Sequence, residues 1–226
     1  MIELSRPVAD IVGDHPETAR VMQRHRIDYC CRGQMPLAAA CADRGADPEV
    51  VRAELDTAIA ERRGVRDGDP RTLGTAALIA LVVERHHGYL RRQLPFLVPL
   101  AKKVARVHGE HDPRLVELLE IVTALSDALL PHLDEEEKVQ FPALLGARPD
   151  VALETELDGM QTEHLAVGDL LHRMRVLTAD FAVPDWACGS YRTLFAELED
   201  LEGDVLAHVH LENHVLAPRA FAGAAE

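Results

Sequence analysis

His132-Leu-Asp-Glu-Glu136-Glu-Lys-Val-Gln-Phe-Pro142 and His208-Val-His-Leu-Glu212-Asn-His-Val-Leu-Ala-Pro218 carry one pattern twice. In each, His-x-x-x-Glu is followed by a proline, and all three positions recur at an offset of 76 residues (208 − 132, 212 − 136, 218 − 142). Flanking residues correspond as well: Leu129-Leu130 with Val205-Leu206, and Val139 with Val215. One further histidine per half follows the same rhythm, His87 and His164, 77 apart (164 − 87). Two equivalent sets of His, His and Glu read as two equivalent half-sites for two metal ions in a duplicated helical hairpin.

The spacing predicts where these side chains point. Residues three, four and seven apart share a helix face. His87 shares its face with Val83, Leu90 and Leu94, and His164 with Met160, Val167 and Leu171. His132 follows Leu125 and Leu129; His208 follows Leu201 and Val205; each is four residues before its Glu. A lone His on an apolar face is ordinarily a satisfied core residue. Six such groups on four interior stripes in duplicated register point to ligation, since an unpaired buried carboxylate is costly. The repeat selects Glu136 and Glu212 over Glu135 and Glu137, and the apolar stripe selects His87 over His86. His15, His25, His108, His111, His172, His210 and His214 lack this double support and are expected to be solvated or to stand behind the ligands.

Working outward, four periodic segments, about 72–107, 114–140, 150–178 and 185–216, are separated by Gly109–Pro113, Gly146–Pro149 and Asp180–Pro184. No segment alternates β-branched residues with period two, so the expected class is all-α. Short connections favour an up-down-up-down four-helix bundle. Residues 1–63 read as a small helical domain: Pro16–His25, the loop Ile27–Gly33, Pro36–Arg44, and a helix begun by Asp47-Pro48-Glu49 and running to Arg63, with Asp as cap and Pro at the first turn. Residues 64–71, Gly-Val-Arg-Asp-Gly-Asp-Pro-Arg, are rich in breakers and read as a linker, leaving 72–226 for the bundle.

The 226 residues carry a net charge of −14, which argues against non-specific nucleic-acid binding through phosphates. No apolar run approaches the roughly 18 residues of a membrane span. The opening Met1-Ile-Glu-Leu-Ser-Arg-Pro7 lacks a secretory pattern, so a cytoplasmic chain is expected. Neighbouring Cα atoms lie about 3.8 Å apart, closer than a relaxed disulfide prefers, so Cys30 and Cys31 are expected to rest as thiols. Their competing reading is a pair of small core hydrophobes, and Cys41 and Cys188 read as plain core.

Two His and one carboxylate per ion, with open positions, suit non-haem iron; zinc or manganese would also accept these atoms. Glu136 and Glu212 could bridge two ions. At this point residues 72–220 resemble the hemerythrin-like (HHE cation-binding) domain, through His87, His132-x-x-x-Glu136, His164 and His208-x-x-x-Glu212. Asp28-Tyr-Cys-Cys-Arg-Gly33 before an Ala-rich helix resembles the N-terminal cysteine domain of the repair-of-iron-centres di-iron proteins. Gln93-Leu-Pro95, Glu163-His164, Leu211-Glu-Asn213 and Pro218-Arg-Ala220 agree with it.

The resemblance implies a hemerythrin-like fold and two iron ions, oxo- or hydroxo-bridged and carboxylate-bridged. It implies repair of iron–sulfur proteins damaged by nitric oxide or oxidants. Iron donation and nitric oxide reduction, the latter an enzymatic activity, both remain open, with Cys30 and Cys31 in a thiol role. Nitric oxide or dioxygen are the implied small ligands, damaged iron–sulfur proteins the partners, and a homodimer an admissible assembly. A reversible dioxygen or nitric oxide carrier is the alternative. Oxygen carriers have a further His four residues after a lone ligand, where this chain has Arg91 and Gly168. Arg32 stands where the family usually has Gly, so the cysteine loop is expected to be less flexible or its thiols more acidic beside the cation. Pro131 is expected to kink the second bundle helix.

Overall fold

The computed structural model describes residues 1–61, 68–146 and 152–222. Its helices are α1 (Val8–Asp14), α2 (Ala19–Arg24), α3 (Leu37–Asp43), α4 (Pro48–Glu61), α5 (Thr75–Val82), α6 (Gly88–His108), α7 (Arg114–Glu135), α8 (Phe141–Leu144), α9 (Leu153–Leu177), α10 (Gly189–Leu211) and α11 (Ala217–Ala222). Pairing between strands is confined, among the described residues, to an isolated bridge between Pro7 and Pro36. No described helix is long and apolar enough to cross a membrane. The chain forms two compact units, Thr75–Val205 and Met1–Gly74 with Leu206–Glu226.

Unit Thr75–Val205 is the helical bundle. Its directions follow from side-chain pairs. His87 meets Glu137 while Arg91 meets Asp134, so α6 runs antiparallel to α7. His132 meets Glu163 while Arg173 meets Glu117, so α7 runs antiparallel to α9. His86 meets Asp204 while Gln93 meets Glu197, so α6 also runs antiparallel to α10. This is the expected up-down-up-down order. The buried stripes are Leu90, Leu94 and Leu97 on α6, Leu118, Leu125 and Leu129 on α7, Val167 and Leu171 on α9, and Leu194, Leu198 and Leu201 on α10. Each such side chain contributes roughly 1.5–3 kcal/mol relative to exposure. Pro95 and Pro99 lie inside α6 and Pro131 inside α7, all on exposed positions. Both helices run on through them without interruption.

The duplicated prolines have a visible consequence. π-helical turns occupy Glu136–Gln140 and Glu212–Leu216, and Pro142 and Pro218 sit second in the helices that follow. Proline has no N–H to offer residue i−4 and its ring pushes that carbonyl away, which widens the preceding turn. A third π turn, Val83–His87, ends at His87 without a proline.

Unit Met1–Gly74 with Leu206–Glu226 has its own core of Val8, Ile11, Met22, Tyr29, Leu37, Val51 and Leu55. Helix α1, absent from the sequence reading, follows Pro7 and is tied in by Val8 N to Met35 O and Ala9 N to Gly33 O. Asp47 accepts from the Glu49 amide as a cap should, starting α4. The C-terminal turn groups here because its polar side chains end on N-terminal carbonyls. His210 Nδ1 lies 3.4 Å from Tyr29 O, and Asn213 Nδ2 and His214 Nε2 donate to Cys30 O at 3.1 and 2.7 Å. Arg219 donates to the carbonyls of Arg71 and Leu73. Of the expected linker 64–71, residues 64–67 lie outside the described residues. Asp69 caps the 3-10 turn Pro70–Thr72, and Arg71 pairs with Asp69 and Asp14.

Candidate metal centre

In the bundle unit, His87 closes the first π turn, His132 lies one turn before Glu136 on α7, and His164 sits on α9; all four are buried. Glu136 is the hub. One of its oxygens lies 3.3 Å from His87 Nε2; the other lies 3.2 Å from His132 Nε2 and 4.0 Å from His164 Nε2. The Nε2 atoms of His132 and His164 are 3.1 Å apart. Two nitrogens about 2.0–2.1 Å from one ion span about 2.9–3.4 Å, from a right-angled to a tetrahedral bite. The ligand atoms of His132, Glu136 and His164 all lie within 4.8 Å of one another.

The tautomers are dictated from outside. His87 Nδ1 is 2.7 Å from Glu137 Oε1, and His132 Nδ1 is 2.7 Å from Glu163 Oε2. An ionised carboxylate only accepts, so each Nδ1 carries the proton and each Nε2 turns its lone pair inward. This is the arrangement that orients imidazoles toward a metal. Arg91, standing where an oxygen carrier has a further His, instead donates to Glu137 and Asp134. Burial raises the Glu137 pKa, but Arg91 and His87 outweigh it and hold the group below the usual carboxylate range. The donor set, three imidazoles and a carboxylate, with the outer nitrogens of His87 and His132 anchored, therefore fits a divalent metal ion.

In the other unit, His208 and Glu212 form a buried pair one turn apart, with Nε2 and Oε1 at 2.7 Å. There too lies the cysteine loop. Both thiols are free, their sulfurs 3.5 Å apart. Asp28 Oδ1 accepts from the amides of Cys30 and Cys31 at 3.1 and 2.8 Å and lies 3.3 Å from Cys30 Sγ. The more acidic thiol expected beside Arg32 is not found at Cys30. Cys31 as hydrogen-bond partner, burial and the Asp28 charge push the Cys30 pKa up.

Further differences from the sequence reading concern groups whose partners are far away in the chain. Of the alternatives expected for His210 and His214, solvated or behind the ligands, the solvated one does not hold. His210 is buried and His214 half-buried on the Tyr29 and Cys30 carbonyls, and burial lowers both pKa values, that of His210 to about 4. His86 pairs with Asp204 at 2.9 Å. Cys188 is exposed, 3.1 Å from His108 Nε2, rather than core; Cys41 is buried as expected. Glu137 and Glu163 were not singled out by the repeat, because they meet their histidines across 50 and 31 residues. Their only local signal is that each adjoins a candidate ligand, Glu136 or His164.

Comparison with known proteins agrees with this geometry. The hemerythrin HHE cation binding domain matches residues 79–220, and the family described as a Domain of Unknown function (DUF542) matches residues 4–59. The iron-sulfur cluster repair protein ScdA of Staphylococcus haemolyticus is 32% identical over 219 residues, covering 96% of this chain and 98% of the relative. The iron-sulfur cluster repair protein YtfE of Yersinia pseudotuberculosis is 32% identical over 208 residues, covering 92% and 93%.

Proposed function

The chain belongs to the hemerythrin HHE cation-binding family, here preceded by the DUF542 domain, and from that premise we propose that it repairs damaged iron–sulfur clusters with iron held by His87, His132, Glu136, His164, His208 and Glu212. The observation that carries the reading is the convergence of three Nε2 atoms on Glu136, with two of the outer nitrogens anchored by Glu137 and Glu163. The sequence repeat extends the set to His208 and Glu212, giving one His, His and Glu set for each of two ions. Iron in such a site supplies exchangeable metal and open coordination positions. The chain's own contribution is to aim the imidazoles and to keep them out of water. Damaged iron–sulfur proteins are the clients, and Cys30 and Cys31 serve in handling iron or electrons.

Two routes share these ligands. In one, iron is cargo delivered to the client. In the other, two nitric oxide molecules, two electrons and two protons give nitrous oxide and water. A reversible dioxygen or nitric oxide carrier is disfavoured, because Arg91 is committed to Glu137 and Asp134 and Gly168 offers no ligand atom. The test is iron quantification on anaerobically prepared protein, followed by repair of a nitric-oxide-damaged dehydratase. About two irons per chain and restored client activity are expected. Nitrous oxide release with an electron donor assigns the second route, and iron transfer without it the first. Iron-free protein, or a stable reversible oxygen adduct, would overturn the reading.

A further inference from the structure

The cysteine loop is built more tightly than a mobile redox loop requires. Its Cys30 carbonyl is held by Asn213 and His214, and Ala9 N is bonded to Gly33 O at 2.9 Å. A Cβ at Gly33 would come within 2.5 Å of Tyr29 O and of His214 Nε2, so the backbone passes where only glycine fits. The two amides fixed on Asp28 Oδ1 orient the pair from the other side. The result places two sulfurs and one carboxylate oxygen within 4.8 Å of one another.

These separations match a chelate. The sulfurs stand 3.5 Å apart, against about 2.05 Å in a disulfide. Two thiolates at about 2.3 Å from one tetrahedral ion are about 3.8 Å apart, and a thiolate and a carboxylate oxygen about 3.6 Å. The observed Sγ to Oδ1 separation is 3.3 Å. Small side-chain rotations reach both values without moving the backbone.

We propose that Asp28, Cys30 and Cys31 form a separate three-donor site for a single thiophilic divalent cation, zinc or ferrous iron. Binding replaces the two S–H protons, which pass to solvent, and forms two metal–sulfur bonds and one metal–oxygen bond. Cys30 is buried, while Cys31 and Asp28 are half-buried, so the ion enters from their side. Closed structural zinc sites carry four protein ligands. A site with three leaves one position to water or to an incoming ligand, which suits a loading or transfer station. The inference deepens the reading that these thiols handle metal.

The probe is cobalt(II), titrated anaerobically into the full-length protein. Thiolate-to-cobalt charge transfer absorbs in the near ultraviolet, where imidazole and carboxylate ligation do not contribute. One thiolate-bound cobalt per chain is expected, lost in Cys30→Ser and Cys31→Ser. Binding should be about tenfold weaker in Asp28→Asn, which keeps an oxygen for the amides but loses the anion. Should Cys30→Ser fail to fold, the half-buried Cys31→Ser carries the test. Absence of the band in the native chain, or its persistence in Cys31→Ser, would overturn the site. A Cys31→Ser protein that loses the band yet still repairs clusters supports the site and removes the thiols from repair. A band in a chain that binds no iron elsewhere supports the site and overturns the repair reading alone.

Discussion

Glu137 shows how one carboxylate acts at a site without belonging to the repeated ligand pattern. It accepts from His87 Nδ1 and from Arg91, so it sets the direction of the His87 lone pair. Glu137→Ala should therefore weaken metal binding about 10–100-fold, a typical effect for a group that orients a ligand. Glu136→Ala should lose more, while Glu135→Ala, on an exposed position, should match the native chain. Metal analysis after dialysis against a graded chelator ranks the three, and equal losses would undo the assignment. At Gly33 the constraint is steric: Gly33→Ala must displace Tyr29, His214 or Ala9, and about 1–3 kcal/mol of stability should be lost in urea unfolding. A Gly33→Ala chain as stable as the native one would show that the loop yields.

Single helices here are ordinary, and their junctions are informative. Asp112, between α6 and α7, accepts from Arg114 and from the Tyr191 hydroxyl at 2.9 Å, joining the turn to α10. The Arg114 hydrogen bond, working against burial and helped by Tyr191, holds the Asp112 pKa below its ordinary 3.8. The folded state thus binds the proton less readily than the unfolded chain. The contribution is present above pH 3.8 and is lost as pH falls through the lower folded value. Asp112→Asn should accordingly cost stability at pH 7 by about 1–2 kcal/mol. Its gap from the native protein should close in urea titrations taken below pH 3.8. A gap independent of pH would mean that the carboxylate charge is irrelevant. The π turns belong to this scale as well. Two are followed by Pro142 and Pro218, whereas Val83–His87 ends without a proline.

At the scale of the molecule, the compact units cut across the order of the chain. A protein beginning at Arg71 retains every bundle helix but loses the Tyr29 and Cys30 carbonyls that hold His210, Asn213 and His214. It should fold with α6, α7 and α9 intact. Residues 206–222 should exchange amide hydrogens faster than in the full chain, and metal affinity should fall through His208 and Glu212. Unchanged protection of that segment would show that the N-terminal residues do not hold it. The sequence by itself determined the all-α class, the bundle order and the inward face of each repeat. Those properties depend on helical periodicity, short connections and a 76-residue duplication, all of which are local or self-similar. It did not disclose α1, the grouping of Leu206–Glu226 with Met1–Gly74, the carboxylates behind His87 and His132, or the raised Cys30 pKa. Only the tertiary structure decided these, because each depends on burial and on polar atoms that meet across tens of residues, where no periodicity reaches.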